Sequence, residues 1–141
     1  MRVAFGADDE NETTRAVAGY LAGAHEVLPV PTGQWPGVGA GVGLAVAQGR
    51  AEVGVVMCWT GTGTAMAANA VAGVRAALAW EPWIARGARK WNDANVLALS
   101  LKRLAPDVAV EVVTAFLDED RPDPDEAENI AEIARLRDRH R

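Results

Sequence analysis

The stretch Val53-Gly-Val-Val-Met-Cys-Trp-Thr-Gly-Thr-Gly-Thr-Ala-Met-Ala-Ala-Asn69 reads as a strand, a glycine turn and a helix. Val53 to Met57 is a short apolar run of the kind that forms a buried strand. Cys58 and Trp59 follow, then a loop with Gly61 and Gly63, then the small, helix-favouring Ala65-Met66-Ala67-Ala68. Glycines let a backbone approach a ligand closely, and a helix N-terminus offers free N–H groups. Cys58 falls at the carboxyl end of the strand, where open α/β sheets place their ligands. A thiol among N–H donors and the hydroxyls of Thr60, Thr62 and Thr64 suits a nucleophile or a proton-transfer base. A buried structural cysteine beside a tight turn fits the same residues, and both readings stand at this point.

Working outward, short apolar runs alternate with helical patterns. Val3 to Gly6 reads as a first strand, ending in the acidic turn Asp8-Asp9-Glu10. Thr13 to Leu21 has helical spacing, with Gly23 as its expected stop, and His25 to Val30 is a second strand in which Pro29 points to an edge position or an early end. Residues 31–43, rich in proline and glycine, are expected to be mostly loop, with a helix over Val42 to Gln48. Val74 to Ala79 and Asn95 to Leu99 are further strands. Pro82 suits a helix start, Trp91 to Ala94 a turn, and Pro106 opens a helix with Val108, Val112 and Phe116 on one face. The acidic, proline-broken segment 118–125 precedes a last helix with Ile130, Ile133 and Leu136 on one side. The fold class is therefore α/β, a three-layer sandwich around a five-stranded parallel, Rossmann-like sheet.

The chain of 141 residues suits one domain, and its 50% hydrophobic content excludes disorder for most of it. The net charge of −5 argues against a nucleic-acid or anionic membrane partner. No run approaches the ~20 apolar residues of a membrane span. One cysteine and no signal-like start suit the cytoplasm, and with His25 and His140 as the two histidines no metal site and no cofactor is expected.

Several spaced motifs resemble the ribose-5-phosphate isomerase B and galactose-6-phosphate isomerase family. They are Ala4 to Asp8, Trp35-Pro36, Cys58 to Gly63, Ala67-Ala68-Asn69, Gly73 to Ala76, Glu81-Pro82 and Asn92 to Leu97. The resemblance implies an aldose–ketose isomerase in which Cys58 is the proton-transfer base. It implies that Thr60 assists, that the amides from Thr60 to Gly63 steady an enediolate, and that Asp8 and Asn92 line the sugar site. It also implies a homodimer, or a tetramer built from dimers, with the site shared between subunits. Residues 1–121 would form the isomerase-like domain and 122–141 a C-terminal helix exchanged across the dimer.

The chain departs from that pattern where phosphate and ring opening are handled. Asp9 and Trp91 stand where the family has histidines, and Trp59 stands where it has glycine. Asp125 and Asn129 fall where it has phosphate-binding arginines, and Lys102 replaces another. Arg121 or Arg135 to Arg141 offer replacement cations if the linker aligns with a shift. A carboxylate ~4 Å from a phosphate repels it by about 1 kcal/mol per pair of unit charges even in water. The expected substrate is therefore an unphosphorylated or atypical sugar rather than ribose 5-phosphate. The expected site comprises Cys58, Thr60 and Asp8 as catalytic groups. Asp9, Trp35, Trp59, Gly61, Thr62, Gly63, Trp91 and Asn92 are expected to bind the substrate, with the three tryptophans facing one cleft. The alternative is a non-catalytic small-molecule binding protein on the same scaffold.

Overall fold

A computed structural model describes Met1 to His140. Five parallel strands, β1 (Arg2–Ala7), β2 (Glu26–Pro29), β3 (Val53–Cys58), β4 (Ala76–Leu78) and β5 (Val96–Ser100), form one sheet in the order β2-β1-β3-β5-β4. Helices α1 (Glu12–Ala24), α2 (Trp35–Ala47), α3 (Thr62–Asn69), α4 (Pro82–Asn92) and α5 (Pro106–Asp118) connect or follow the strands. A short 3-10 turn, Pro124–Glu126, leads into α6 (Ala127–Arg139). The three-layer α/β expectation holds, and β2 both lies at the sheet edge and ends at Pro29, the two outcomes that the proline allowed.

Strand alternation assigns each side chain to a face. Val53, Val55 and Met57 join Leu97 and Leu99 in a core with Val17, Leu21, Val112 and Phe116, under α1, α4 and α5. Val56, Ala4 and Ala98 face the other way, against Val42, Ala45 and Ala68 of α2 and α3. By the same parity Asp8, Cys58 and Ser100 leave the carboxyl edge on the α2/α3 side. Cys58 pairs with Ser100 in register, and the Asp8 amide donates to Met57 O at 3.1 Å. The chain runs outward to β2 from β1 and outward to β5 and β4 from β3. The crevice of such a sheet therefore opens between the carboxyl ends of β1 and β3, next to Asp8 and Cys58.

Three local expectations are corrected. The segment 31–43 is not mostly loop, because α2 starts at Trp35, with Pro36 in its first turn. Its glycines weaken intrinsic propensity, and tertiary packing overrides that. A Cβ at Gly39 would lie 2.6 Å from Thr64 O and 2.7 Å from Ala67 Cβ, so the bare backbone lets α2 press onto α3. Gly23 lies inside α1, which ends instead at His25, whose amide donates to Leu21 O. Trp91 and Asn92 belong to the last turn of α4, and the reversal comes at Asp93, with φ of 50°.

Helix α6 meets its own chain through Arg137, which donates to the carbonyls of Asn69, Val71 and Val74. Ile133 and Leu136 remain 45% and 42% exposed. Gly39→Ala is expected to cost about 1–3 kcal/mol, the usual range for overpacking. Gly37→Ala, which meets nothing within 4 Å, is expected to be neutral or to stabilise by up to about 1 kcal/mol. Urea midpoints of the two variants check this, and equal midpoints would contradict the packing role of Gly39.

Candidate functional site

The turn between β3 and α3 is set by Gly61. Its φ is 80°, and a Cβ there would meet Leu78 Cδ1 at 2.6 Å and the Leu99 carbonyl carbon at 2.9 Å. Glycine alone meets both conditions without strain. Held this way, the Gly61 amide donates to Cys58 Sγ at 3.2 Å, and the Thr64 hydroxyl donates to the same sulfur at 3.3 Å. Cys58 is 4% exposed and Thr64 fully buried, so these contacts are shielded from water. The donor cluster read around the thiol is therefore present. The loop amides are divided differently from the expected Thr60-to-Gly63 set. Gly61 serves the sulfur and the Thr62 amide donates to Thr60 Oγ1 at 3.3 Å. The amides of Gly63 and Thr64 remain as the open donors of the first turn of α3. Thr60 and Thr62 share a hydroxyl hydrogen bond of 2.6 Å.

A cavity of about 480 Å³ opens over this turn, lined by Asp8, Trp35, Cys58, Trp59, Thr60, Thr62, Gly63 and Met66. Most of the expected site residues meet there. Trp35 reaches it because its ring lies directly on Gly63, where a Cβ would be 2.9 Å from Trp35 Cε3. Met66 had no motif to mark it; it projects one helical turn beyond Gly63.

Three expected residues are placed elsewhere in the chain. Trp91 does not share the cleft of Trp35 and Trp59. Its ring folds back on Gly87 of α4 and meets Trp83 edge-on, with centroids 5.5 Å apart. With Asn92 it lines a second cavity, of about 310 Å³, beside Asn129, Ile133 and Arg137 of α6. Asp9 does not line the Cys58 cavity either. It accepts from Trp59 Nε1 at 3.0 Å and lines a neighbouring cavity with Glu10 and Arg15.

The two aspartates carry opposite perturbations. Burial, and then the charge of Asp9, push the Asp8 carboxyl above its ordinary value. Asp8 Oδ1 is buried without a hydrogen-bond partner among the described residues. Asp9 is held below its ordinary value, chiefly by the Trp59 indole N–H, then by the Glu10 amide, with a further contribution from Lys102. Among the described residues no arginine or lysine lines the Cys58 cavity. Arg135 pairs with Glu128 and Glu132, Arg139 pairs with Glu132, Arg121 approaches Asp120, and Arg141 lies outside the described residues. Among the described residues no group of three or more His, Cys, Asp or Glu side chains could hold a metal ion. No helix among them is long and apolar enough to cross a membrane.

A raised carboxyl means that the folded state holds this proton more tightly than the unfolded chain. The stability Asp8 contributes is therefore full below its ordinary value of 3.8 and is lost as pH rises through the raised folded value. Asp8→Asn is expected to remove that loss, so its stability relative to the parent should increase with pH across this window. Carboxyl carbon NMR is expected to show Asp8 titrating above Asp9. Asp9→Asn should lower Asp8 only in part, because burial is the larger cause. Asp8 titrating at or below Asp9 would contradict this electrostatic picture.

Known proteins can be set beside this geometry. A family model described as Ribose/Galactose Isomerase matches residues 3–133. Ribose-5-phosphate isomerase B of Clostridium thermocellum superposes with a TM-score of 0.92 at 30% identity, covering 100% of both chains. The type B ribose 5-phosphate isomerase of Trypanosoma brucei gives 0.84 at 30% identity, covering 96% of this chain and 97% of that one. A curated relative, D-erythrulose-4-phosphate isomerase of Pectobacterium atrosepticum, is 42% identical over 53 residues, which is 38% of this chain. The match spans about a third of that relative's length, 35%. With the family model spanning almost the whole chain and the fold superposing on solved ribose 5-phosphate isomerases of type B, this protein belongs to the ribose/galactose isomerase family.

Proposed function

We propose that this chain is an aldose–ketose isomerase with Cys58 as its base, acting on an atypical sugar rather than ribose 5-phosphate. The observation that carries the reading is the Cys58 sulfur, held by two donors beside the open cavity. In the proposed reaction Cys58 Sγ takes the proton from C2 of an open-chain aldose. The electron pair moves to the C1 oxygen, giving an enediolate. The proton returns to C1 while the C2 hydroxyl passes its proton to the C1 oxygen, so that C2 becomes the carbonyl, O1 becomes a hydroxyl and the ketose forms. The open amide of Gly63, which lines the cavity, supplies a preorganised donor for the enediolate oxygen. Asp8, which keeps its proton to higher pH than an ordinary carboxyl, suits the acid that opens the ring or protonates an oxygen.

Substrate choice is argued from charge. Among the described residues the cavity presents a carboxyl and no cation, which disfavours a terminal phosphate at that wall. The curated relative is named for a tetrose phosphate, so relatives of this chain extend beyond ribose 5-phosphate. We further assign 122–141 to docking on a second copy. The exposure of Ile133 and Leu136 supports this, as does the separation of Trp91, Asn92 and Asn129 from the Cys58 cavity. A dimer sharing its sites between subunits would unite the two halves. A single free cysteine suits the cytoplasm as location.

Purified protein screened against free tetroses, pentoses, hexoses and their phosphates is expected to interconvert an aldose and a ketose. Cys58→Ala should lower kcat by about 10²–10⁴-fold, the range for a positioned proton-transfer group. No turnover, or equal turnover by Cys58→Ala, would refute the isomerase; calorimetric binding without conversion would favour the binding-protein alternative. Ile133→Glu combined with Leu136→Glu is expected to turn a dimer into a monomer in sedimentation. An unchanged mass would overturn the docking assignment.

A further inference from the structure

Trp59 immediately follows the proposed base, and the residue is 57% exposed. An indole so exposed would ordinarily sample several rotamers, yet this ring is tethered at two points and its backbone is pinned as well. Its Nε1 donates to Asp9 Oδ2 at 3.0 Å. The Lys102 ammonium lies 4.5 Å from the ring centroid. Its own carbonyl accepts from Ser100 Oγ at 2.6 Å, and the Ser100 oxygen in turn accepts from the Arg103 amide at 2.9 Å. The adjacent Cys58 carbonyl accepts from the Leu101 amide at 2.9 Å, so the backbone is fixed on both sides of the peptide. Asp9 and Lys102 are opposite charges bracketing one ring, so each strengthens the hold of the other.

The consequence lies in what the ring separates. Trp59 lines the Cys58 cavity, whereas Asp9 lines the neighbouring one with Glu10, Arg15 and Val30 at the ends of β1 and β2. Neither Asp9 nor Lys102 lines the Cys58 cavity. The hydrogen-bonded Trp59–Asp9 pair thus stands between the two cavities, and the two charges that hold the indole are engaged with it rather than offered to a ligand. The reacting carbons of a sugar must reach Cys58, and the carbons after them on the β1 side then meet the indole face.

We infer that Trp59 is the residue that sets sugar length in this site, a fixed wall that selects a triose or tetrose over a pentose or hexose. The inference rests on the isomerase reading for the chemical class of ligand and adds the size of that ligand. An indole face also suits a short sugar, because its C–H edges pack on the ring while its hydroxyls reach Thr60, Thr62 and Asp8.

Binding tests this without reference to turnover. Calorimetry on the Cys58→Ala protein would compare erythritol, ribitol and sorbitol, which cannot be isomerised, and then erythrose 4-phosphate against ribose 5-phosphate. The four-carbon member of each set is expected to bind roughly tenfold or more tightly than the longest, the scale set by discrimination of a few extra groups in a walled site. Trp59→Gly is expected to abolish that preference. Trp59→Phe, which keeps a ring and loses the N–H, and Asp9→Ala, which removes its acceptor, should each reduce it in part. The order of erythritol and erythrose 4-phosphate separates terminal charge from length, and the inference requires only that the shorter member win within each set. Equal binding across each set, no binding of any probe, or a preference that survives Trp59→Gly would overturn it. Length selection by a protein that isomerises no sugar would refute the isomerase and leave this inference in place.

Discussion

The hydrogen bond from the Gly61 amide to the Cys58 sulfur is the contact on which the rest of the site depends. It requires a residue with positive φ and no side chain, wedged between Leu78 and Leu99. That requirement fixes where α3 begins, hence where Thr64 aims its hydroxyl and where the free amides of Gly63 and Thr64 point. The placement of α3 in turn needs α2 close by, which the bare Gly39 backbone permits. Trp35, the first residue of α2, then comes to rest on Gly63 and walls the cavity. One turn therefore links the thiol, its donors, a helix pair and an aromatic wall. A Cβ at Gly61 would disturb all four together.

Much of this was legible in the sequence, for definite reasons. β3 is buried along its whole length, so its apolar run signals a strand without ambiguity. Parity along β1 and β3 brings Asp8 to Cys58 once both are read as strands ending at the crevice. What was not legible depends on helix rotation and long-range contact. The first half of helix α2, before Val42, was hidden because its glycines look like loop until α3 is there to pack against them. Trp91 and Asn92 close α4 rather than a free turn, and so face α6 instead of Cys58. Asp9 looked like a ligand-facing neighbour of Asp8. Successive residues point opposite ways, and its carboxylate went to the Trp59 indole instead. Lys102 over Trp59 and Met66 at the cavity carried no signal in a single chain.

The electrostatics separate what the scaffold retains from what it has changed. The half proposed for proton transfer has a shielded sulfur with two donors and a carboxyl that holds its proton above the ordinary range. The anion-binding half is altered: Asp9 and Lys102 bracket a tryptophan, and arginines of α6 pair with neighbouring glutamates or with backbone carbonyls of their own chain. A group that removes a proton from carbon needs the first set and is indifferent to the second. Proton-transfer chemistry with a changed ligand is what such a division favours.

Isotope exchange tests proton transfer by Cys58 most directly. A sulfur base that passes a proton between adjacent carbons can exchange it with solvent before returning it. The protein incubated with erythrose in D2O is expected to yield sugar carrying deuterium at the carbon next to the carbonyl, and the Cys58→Ala protein to yield none above the uncatalysed rate. Sugar recovered without deuterium and without conversion, or equal labelling by the parent and the Cys58→Ala protein, would contradict it.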